Sequence, residues 1–207
     1  MPEKISPEQT ERAQAFNDWI KAPMPMVTLM KTFDLSRLIR VCRKKKLKLN
    51  AALCWCIGKA ASEEKLFYDL PFADYVLHFD QLAISVVVKT ESGSITTCDI
   101  PFSEDFSFFY QEYANRTKEA ARTGILQDLS SEYMVIGTSA LTSCSLDGIV
   151  NIYAGVFNNP FLSWGKVQKK GFSHKLPVSF QFHHSQMDGM EAADFLNRLD
   201  REFRTFR

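Results

Sequence analysis

The sequence predicts one α/β domain with helices packed on a mixed β-sheet. Three observations carry that expectation. Strand-like and helix-like runs interleave from the first residues to the last of the 207. No repeat, low-complexity segment or Pro/Gly-rich linker interrupts them. Residues of the apolar set make up 45% of the chain, enough to cover both faces of a helix–sheet boundary.

Ser6, Pro7 and Gln9 have the pattern of a capping box and predict a helix running to about Trp19. Pro23 and Pro25 stop it. Met26 to Phe33 alternates and is rich in strand formers. Asp34 is placed to cap a helix through about Lys46. Asn50 is placed to cap a second, through about Ser62, with Leu53, Ile57, Ala60 and Ala61 inward.

Leu82–Thr90 and Ile95–Ile100 predict a hairpin around Glu91-Ser92-Gly93-Ser94. Asp105 to Arg122 has helical periodicity. Met134–Ser139, Ile149–Ala154, Phe161–Gln168 and Leu176–Phe182 are strand-like. The final helix, from about Met190 to Phe206, carries Met190, Ala193, Leu196, Leu199 and Phe203 at helical spacing.

Charge narrows the function. Lys plus Arg is 25 and Asp plus Glu is 24, a net charge of +1. That balance favours neither nucleic acid nor an anionic membrane as a partner. The one basic cluster is Arg43, Lys44, Lys45, Lys46 and Lys48. It suits the solvated end of a helix, or a site for a phosphorylated ligand. No apolar run reaches the roughly 20 residues of a membrane span. Met1 to Thr10 lacks the apolar core of a signal peptide, so a cytoplasmic location is expected. The five cysteines are odd in number and read as free thiols. Cys54 and Cys56 lack a second pair at zinc-ligand spacing, and no metal is expected.

The chemistry concentrates in His183-His184-Ser185-Gln186-Met187-Asp188-Gly189, between a predicted strand and a predicted helix. Two of only four histidines are adjacent there. Alternation along a strand lets only one of them face a given cleft. A neutral imidazole, with an ordinary pKa of about 6.5, can take a proton from a hydroxyl at cellular pH. Such a base is worth roughly 10²- to 10⁴-fold in rate. The carboxylate four residues on could orient the ring or hold the loop. A structural histidine pair or a metal site is also open, though His78 and His174 supply no recognisable third ligand.

His-His-x-x-x-Asp-Gly followed by an amphipathic helix resembles the active-site signature of the chloramphenicol acetyltransferase family. A looser form also marks dihydrolipoamide acyltransferases, plant acyltransferases and peptide-synthetase condensation domains. The chain length suits the first of these. The resemblance extends to Glu11-Arg12 with Phe16, to Ser139-Ala140-Leu141-Thr142-Ser143-Cys144-Ser145 and to Asn159-Pro160-Phe161-Leu162-Ser163-Trp164-Gly165-Lys166. It implies a two-layer α/β sandwich over residues 1–207, a homotrimer with active sites between subunits, and acetyl-CoA as cosubstrate.

By the same resemblance His184 is the general base and Ser145 the donor to the tetrahedral oxyanion. Asp188 pairs with Arg12 to hold the loop. Ser163 takes the place of a threonine that binds water near the intermediate. Phe16, Trp19 and Tyr133 are candidates for the acceptor site, with Phe102 and Phe157 as further aromatics. Thr142 and Ser143 replace a Pro-Trp pair of the family, a change that bears on the acceptor more than on the base. The expected function is therefore O-acetylation of a small-molecule hydroxyl, with chloramphenicol as one acceptor. The alternatives are the same chemistry on another alcohol, or a catalytically silent trimer that binds a ligand.

Overall fold

A computed structural model describes residues 1–207. Its strands are β1 (Glu3–Ile5), β2 (Met26–Asp34), β3 (Asp69–Phe72), β4 (Tyr75–His78), β5 (Leu82–Lys89) and β6 (Ile95–Pro101). They continue with β7 (Met134–Ala140), β8 (Phe161–Trp164), β9 (Gln168–Lys170) and β10 (Ser173–His183). The helices are α1 (Ala13–Trp19), α2 (Ser36–Lys45), α3 (Leu49–Ser62), α4 (Phe106–Thr123) and α5 (Gly189–Thr205). The main sheet is mixed, in the order β2-β10-β8-β7-β5-β6, with β9 paired to β10. β7 runs parallel to both β5 and β8, and the other pairings are antiparallel. β1, β4 and β3 form a small second sheet.

The two faces of the main sheet differ sharply. On one, Val178, Phe180 and Phe182 of β10, Leu162 of β8, Ile136 of β7 and Ile84 of β5 are buried. They pack beneath the helices in a single cluster with Phe67, Phe195, Leu199 and Phe203. Phe180 and Phe195 stack with ring centroids 4.7 Å apart. α3 is buried nearly all round and forms the middle of this layer. α5 buries Ala192, Phe195, Leu196, Leu199 and Phe203. Met190, expected on that face, is exposed instead, because the buried stripe starts two residues later.

The opposite face carries polar rows. Register places Met30, Ser179, Ser163 and Ser139 side by side across β2, β10, β8 and β7. A second row runs Thr28, Gln181, Phe161, Gly137, Ser85 and Asp99. Gly137 has no side chain because the Phe161 ring lies directly over it.

Residues 141–160 cross this polar face as irregular chain, so the strand expected at Ile149–Ala154 is not formed. Its polar groups bond to side chains rising from the face rather than to a strand edge. Ile149 N–H donates to Ser179 Oγ at 2.7 Å, and Ser163 Oγ donates to Asn151 Oδ1 at 2.9 Å. Gln181 Nε2 donates to the Asn151 carbonyl at 3.2 Å. The run Ile149–Ala154 is apolar enough to read as strand-like, but Val150 and Ile152 face outward, 71% and 88% exposed.

Other local departures have simple causes. The N-terminal capping box forms, with Ser6 N–H donating to Gln9 Oε1, but it closes only a 3-10 turn over Pro7–Gln9. The α-helix starts at Ala13. Asn50 lies inside α3 and donates to Tyr113 Oη at 3.0 Å, so it is a tether between helices rather than a cap. Phe161–Gln168 is broken at Gly165, where a Cβ would press on the Cys144 carbonyl. Asp34, one residue ahead of the N-cap Leu35, accepts the Ser36 N–H, and Asp105 caps α4 by accepting from Ser107 and Phe108 N–H.

Candidate active site

β10 ends at His183, and the chain turns sharply into α5. Gln186 N–H donates to the His183 carbonyl at 2.9 Å, and His184 N–H donates to the Pro25 carbonyl at 2.9 Å. The two histidines part company as alternation requires. His183 is fully buried and takes Ser185 N–H on Nδ1 at 3.1 Å. Burial, reinforced by the neighbouring His184, pushes its pKa down to about 4. It is therefore neutral at physiological pH and sealed from substrate.

His184 is the accessible one. Its side chain is 30% exposed. Trp19, at the end of α1, stacks on the imidazole with centroids 4.8 Å apart and planes 15° from parallel. Nδ1 is buried and lies 3.1 Å from Asp188 Oδ1, a close contact without hydrogen-bond alignment. The exposed part of the ring is therefore its other edge, which carries Nε2.

Arg12 fastens this turn. Nη1 donates to Asp188 Oδ2 at 2.6 Å, and Nη2 donates to Asp188 Oδ1 at 2.8 Å. Nη2 also donates to the His184 carbonyl at 2.9 Å. The bidentate geometry fixes both distance and plane. Hydrogen bonding to Arg12, with the charges of Arg12 and His184 adding to it, holds the Asp188 carboxyl below its usual range. The Asp188 N–H is taken by Glu191 Oε2 at 3.0 Å at the start of α5. The pairing of Arg12 with Asp188 that the family resemblance implied, across 176 positions, is formed.

The other expected site residues are dispersed. Phe16 is 3% exposed and packs under α1, so it has no free surface for an acceptor. Tyr133 is half-buried just ahead of β7. Register puts it at the same end of the sheet as His184, two strands away. Ser163 is buried, with its hydroxyl donated to Asn151.

Ser145 is exposed in the loop after β7. That loop is pinned at the far end of the sheet by Lys166 N–H donating to the Cys144 carbonyl at 2.7 Å. Strand rise along β10 puts this level about 25 Å from His184. Ser145 of a chain therefore does not face that chain's own His184. A different serine stands out: Ser139, half-buried in β7 and the register partner of Ser163. Composition gave no reason to prefer it among the serines of the segment. Only the register places it beside Ser163.

Beyond Ser163, toward Val167, a cavity of about 630 Å³ opens between α2, the start of α3 and the β9–β10 hairpin. It is lined by Arg43, Lys46, Lys169 and His174 over Ile39, Leu47 and Leu49. His174 Nδ1 is buried there without a protein partner. Part of the basic run is thus turned onto a concave surface. No group of three or more His, Cys, Asp or Glu side chains is arranged to hold a metal ion. No helix is long and apolar enough to cross a membrane. All five cysteines are free, and burial pushes the Cys54 and Cys98 thiols up to about 12 and about 11.

The family model for chloramphenicol acetyltransferase matches residues 4–200. The chain belongs to the chloramphenicol acetyltransferase family. It is an acyltransferase, as the histidine signature led one to expect. The chain is 25% identical to the chloramphenicol acetyltransferase of Staphylococcus aureus over 95% of its own length and 93% of that protein's. A solved structure of a chloramphenicol acetyltransferase superposes with a TM-score of 0.83 at 21% identity, covering 98% of this chain and all of that one. A probable dihydrolipoamide acetyltransferase from Listeria monocytogenes 4b F2365 shares the fold, with a TM-score of 0.71 at 15% identity over 94% and 92%. The mixed sheet with helices on one face is the architecture common to these proteins.

Proposed function

We propose that residues 1–207 act as one acyltransferase domain that moves an acetyl group from acetyl-CoA to a small-molecule hydroxyl, with His184 as general base. The supporting observation is the clamping of the His184 ring. Trp19 covers one face, Asp188 lies against the Nδ1 edge, Arg12 holds the backbone carbonyl behind the ring, and the Nε2 edge is presented outward.

With its proton on Nδ1 beside Asp188, the ring carries its lone pair on Nε2. Nε2 takes the hydroxyl proton of the acceptor as its oxygen bonds to the thioester carbonyl carbon. The carbonyl electron pair moves onto oxygen, giving a tetrahedral oxyanion. Collapse of the oxyanion restores the carbonyl and breaks the carbon–sulfur bond. The departing thiolate takes the proton back from Nε2, which leaves ester, CoA thiol and neutral His184.

The oxyanion donor is Ser145, as the family resemblance implies, or a second candidate brought forward by the sheet register, Ser139. Ser139 is carried on a strand, it sits beside Ser163, and it shares the polar face with Ser179. One donor of this kind is worth about 10²- to 10³-fold. Along β10 Ser139 stands at the level of Ser179, five residues or about 17 Å from His184. Either serine therefore meets His184 only between subunits, with His184 of one copy facing the donor of another. Apolar side chains exposed beside the polar face, Met30, Val150, Ile152 and Phe157, suit burial against that copy. The expected homotrimer satisfies this requirement.

The basic cavity is assigned to CoA. Arg43, Lys46 and Lys169 are suited to phosphates, and the apolar floor to the adenine. It opens at the Ser139 end of the sheet.

Thiol release from acetyl-CoA with a panel of alcohols tests the proposal. Release with chloramphenicol supports that drug as acceptor, and release only with other alcohols moves the assignment to a different substrate. Saturable ligand binding without release from any alcohol would overturn the transfer chemistry. Ser139→Ala and Ser145→Ala, assayed side by side, decide the donor.

A further inference from the structure

Four polar atoms in or against the turn that carries His184 are buried without a protein partner: Arg12 Nε, His183 Nε2, His184 Nδ1 and Gln186 Oε1. Two of these residues, Arg12 and Gln186, line one small cavity together with Thr10, Asp69 and Ser185. Its volume is about 10 Å³, the space of one water-sized sphere. One orphan is a donor and the other an acceptor. Leaving either buried and unpaired is costly, so a bridging water is favoured there.

Gln186 is 2% exposed. Its amide nitrogen donates to the Leu66 carbonyl at 3.0 Å and to the Asp69 carbonyl at 2.8 Å. Both amide protons are thus spent on the segment that leads into β3, and Oε1 is left facing inward. On the other side of the cavity, Nη1 and Nη2 of Arg12 are committed to Asp188 and the His184 carbonyl. Nε is the one nitrogen of that guanidinium without a partner.

We propose that Gln186 is a positioning residue for acyl transfer, acting through a single water held between its Oε1 and Arg12 Nε. The water accepts from Arg12 Nε–H and donates to Gln186 Oε1. Thr10 and Ser185 hydroxyls on the same wall offer it a further contact. The small β1-β4-β3 sheet is thereby tied to the guanidinium that fixes Asp188 and the His184 carbonyl. Gln186 touches neither substrate nor reacting atoms. Its role rests on His184 being the base.

The test combines a high-resolution crystal structure of the wild-type protein with kinetics of Gln186→Met, which keeps side-chain length and removes the polar atoms. The crystal is expected to show one water within hydrogen-bonding distance of both Gln186 Oε1 and Arg12 Nε. The variant is expected to lose about tenfold in kcat per folded molecule with KM for acetyl-CoA unchanged, as a displaced base does. An unchanged kcat beside a lowered melting temperature would make Gln186 merely structural and overturn the proposal. So would a wild-type crystal in which Gln186 Oε1 and Arg12 Nε bond elsewhere. If the wild-type protein released no thiol at all, the base assignment would fall instead, and the water would still be judged by the crystal.

Discussion

Trp19 lies flat on His184, with centroids 4.8 Å apart, although the two residues come from opposite ends of the chain. Stacking removes the freedom of the imidazole to swing about its side-chain bonds, so Nε2 is aimed before substrate arrives. Trp19→Ala is expected to cut kcat about tenfold by releasing the ring. Trp19→Phe keeps an aromatic face and should retain most of the rate. Steady-state kinetics with the preferred acceptor separate the two variants, and equal rates for both would remove Trp19 from the mechanism.

His184→Ala should lower turnover by about 10²- to 10⁴-fold, the usual worth of a positioned base. Acetyl-CoA affinity should be unchanged, because the cavity assigned to CoA is lined by Arg43, Lys46 and Lys169 and not by His184. Calorimetric titration with CoA beside a thiol-release assay reads both quantities. Near wild-type turnover would transfer the role of base to another group.

Arg12→Ala removes three hydrogen bonds from the turn and leaves the Asp188 carboxylate unpaired beside His184. Activity and melting temperature should fall together. Arg12→Lys keeps the charge but cannot span both carboxylate oxygens and the carbonyl, and should recover only part of either. Full recovery by lysine would mean that charge alone is needed.

Acid should destabilise the protein through His183. Its folded pKa is about 4, below the ordinary 6.5, because burial disfavours the charged ring. Between those values the unfolded chain binds the extra proton. Stability contributed by the neutral ring is complete above about pH 6.5 and declines as pH falls toward 4. A depression of this size corresponds to about 3 kcal/mol. Asp34 adds a separate loss at lower pH. Hydrogen bonds from Ser36, with a smaller effect of Lys175, hold its pKa near 2, so its contribution fades as pH falls from about 4 toward 2. Urea unfolding from pH 7 to 4.5 should show a steep decline in wild type and a shallow one in His183→Asn.

The basic cavity gives a reversible-charge test. Lys46→Glu and Lys169→Glu should each raise KM for acetyl-CoA several-fold with kcat little changed, since they alter binding far from the reacting bond. Raising the ionic strength should weaken the wild type toward the variants. A KM that ignores both charge and salt would place CoA elsewhere.

Local chemistry made much of this molecule legible in its sequence. Periodicity located β2, α2, α3, the β5–β6 hairpin, α4, β7, β10 and α5, because a residue's tendency to pair or coil is expressed within a few neighbours. The His-His-x-x-x-Asp-Gly motif stood out in the sequence, its family resemblance pointed to His184, and strand alternation foretold that only one of the two histidines would face a given cleft. Three things required the tertiary structure. The irregular path of residues 141–160 depends on side chains of β8 and β10 rather than on its own alternation. Ser139 differs from Ser145 only through register with Ser163, and register is set by pairing between strands far apart in the chain. Gln186 gains its meaning from carbonyls 117 and 120 positions away. The sequence by itself determined which groups can do chemistry. The packed sheet decided which of them stand close enough to act, since distance between side chains is a property of the fold and not of spacing along the chain.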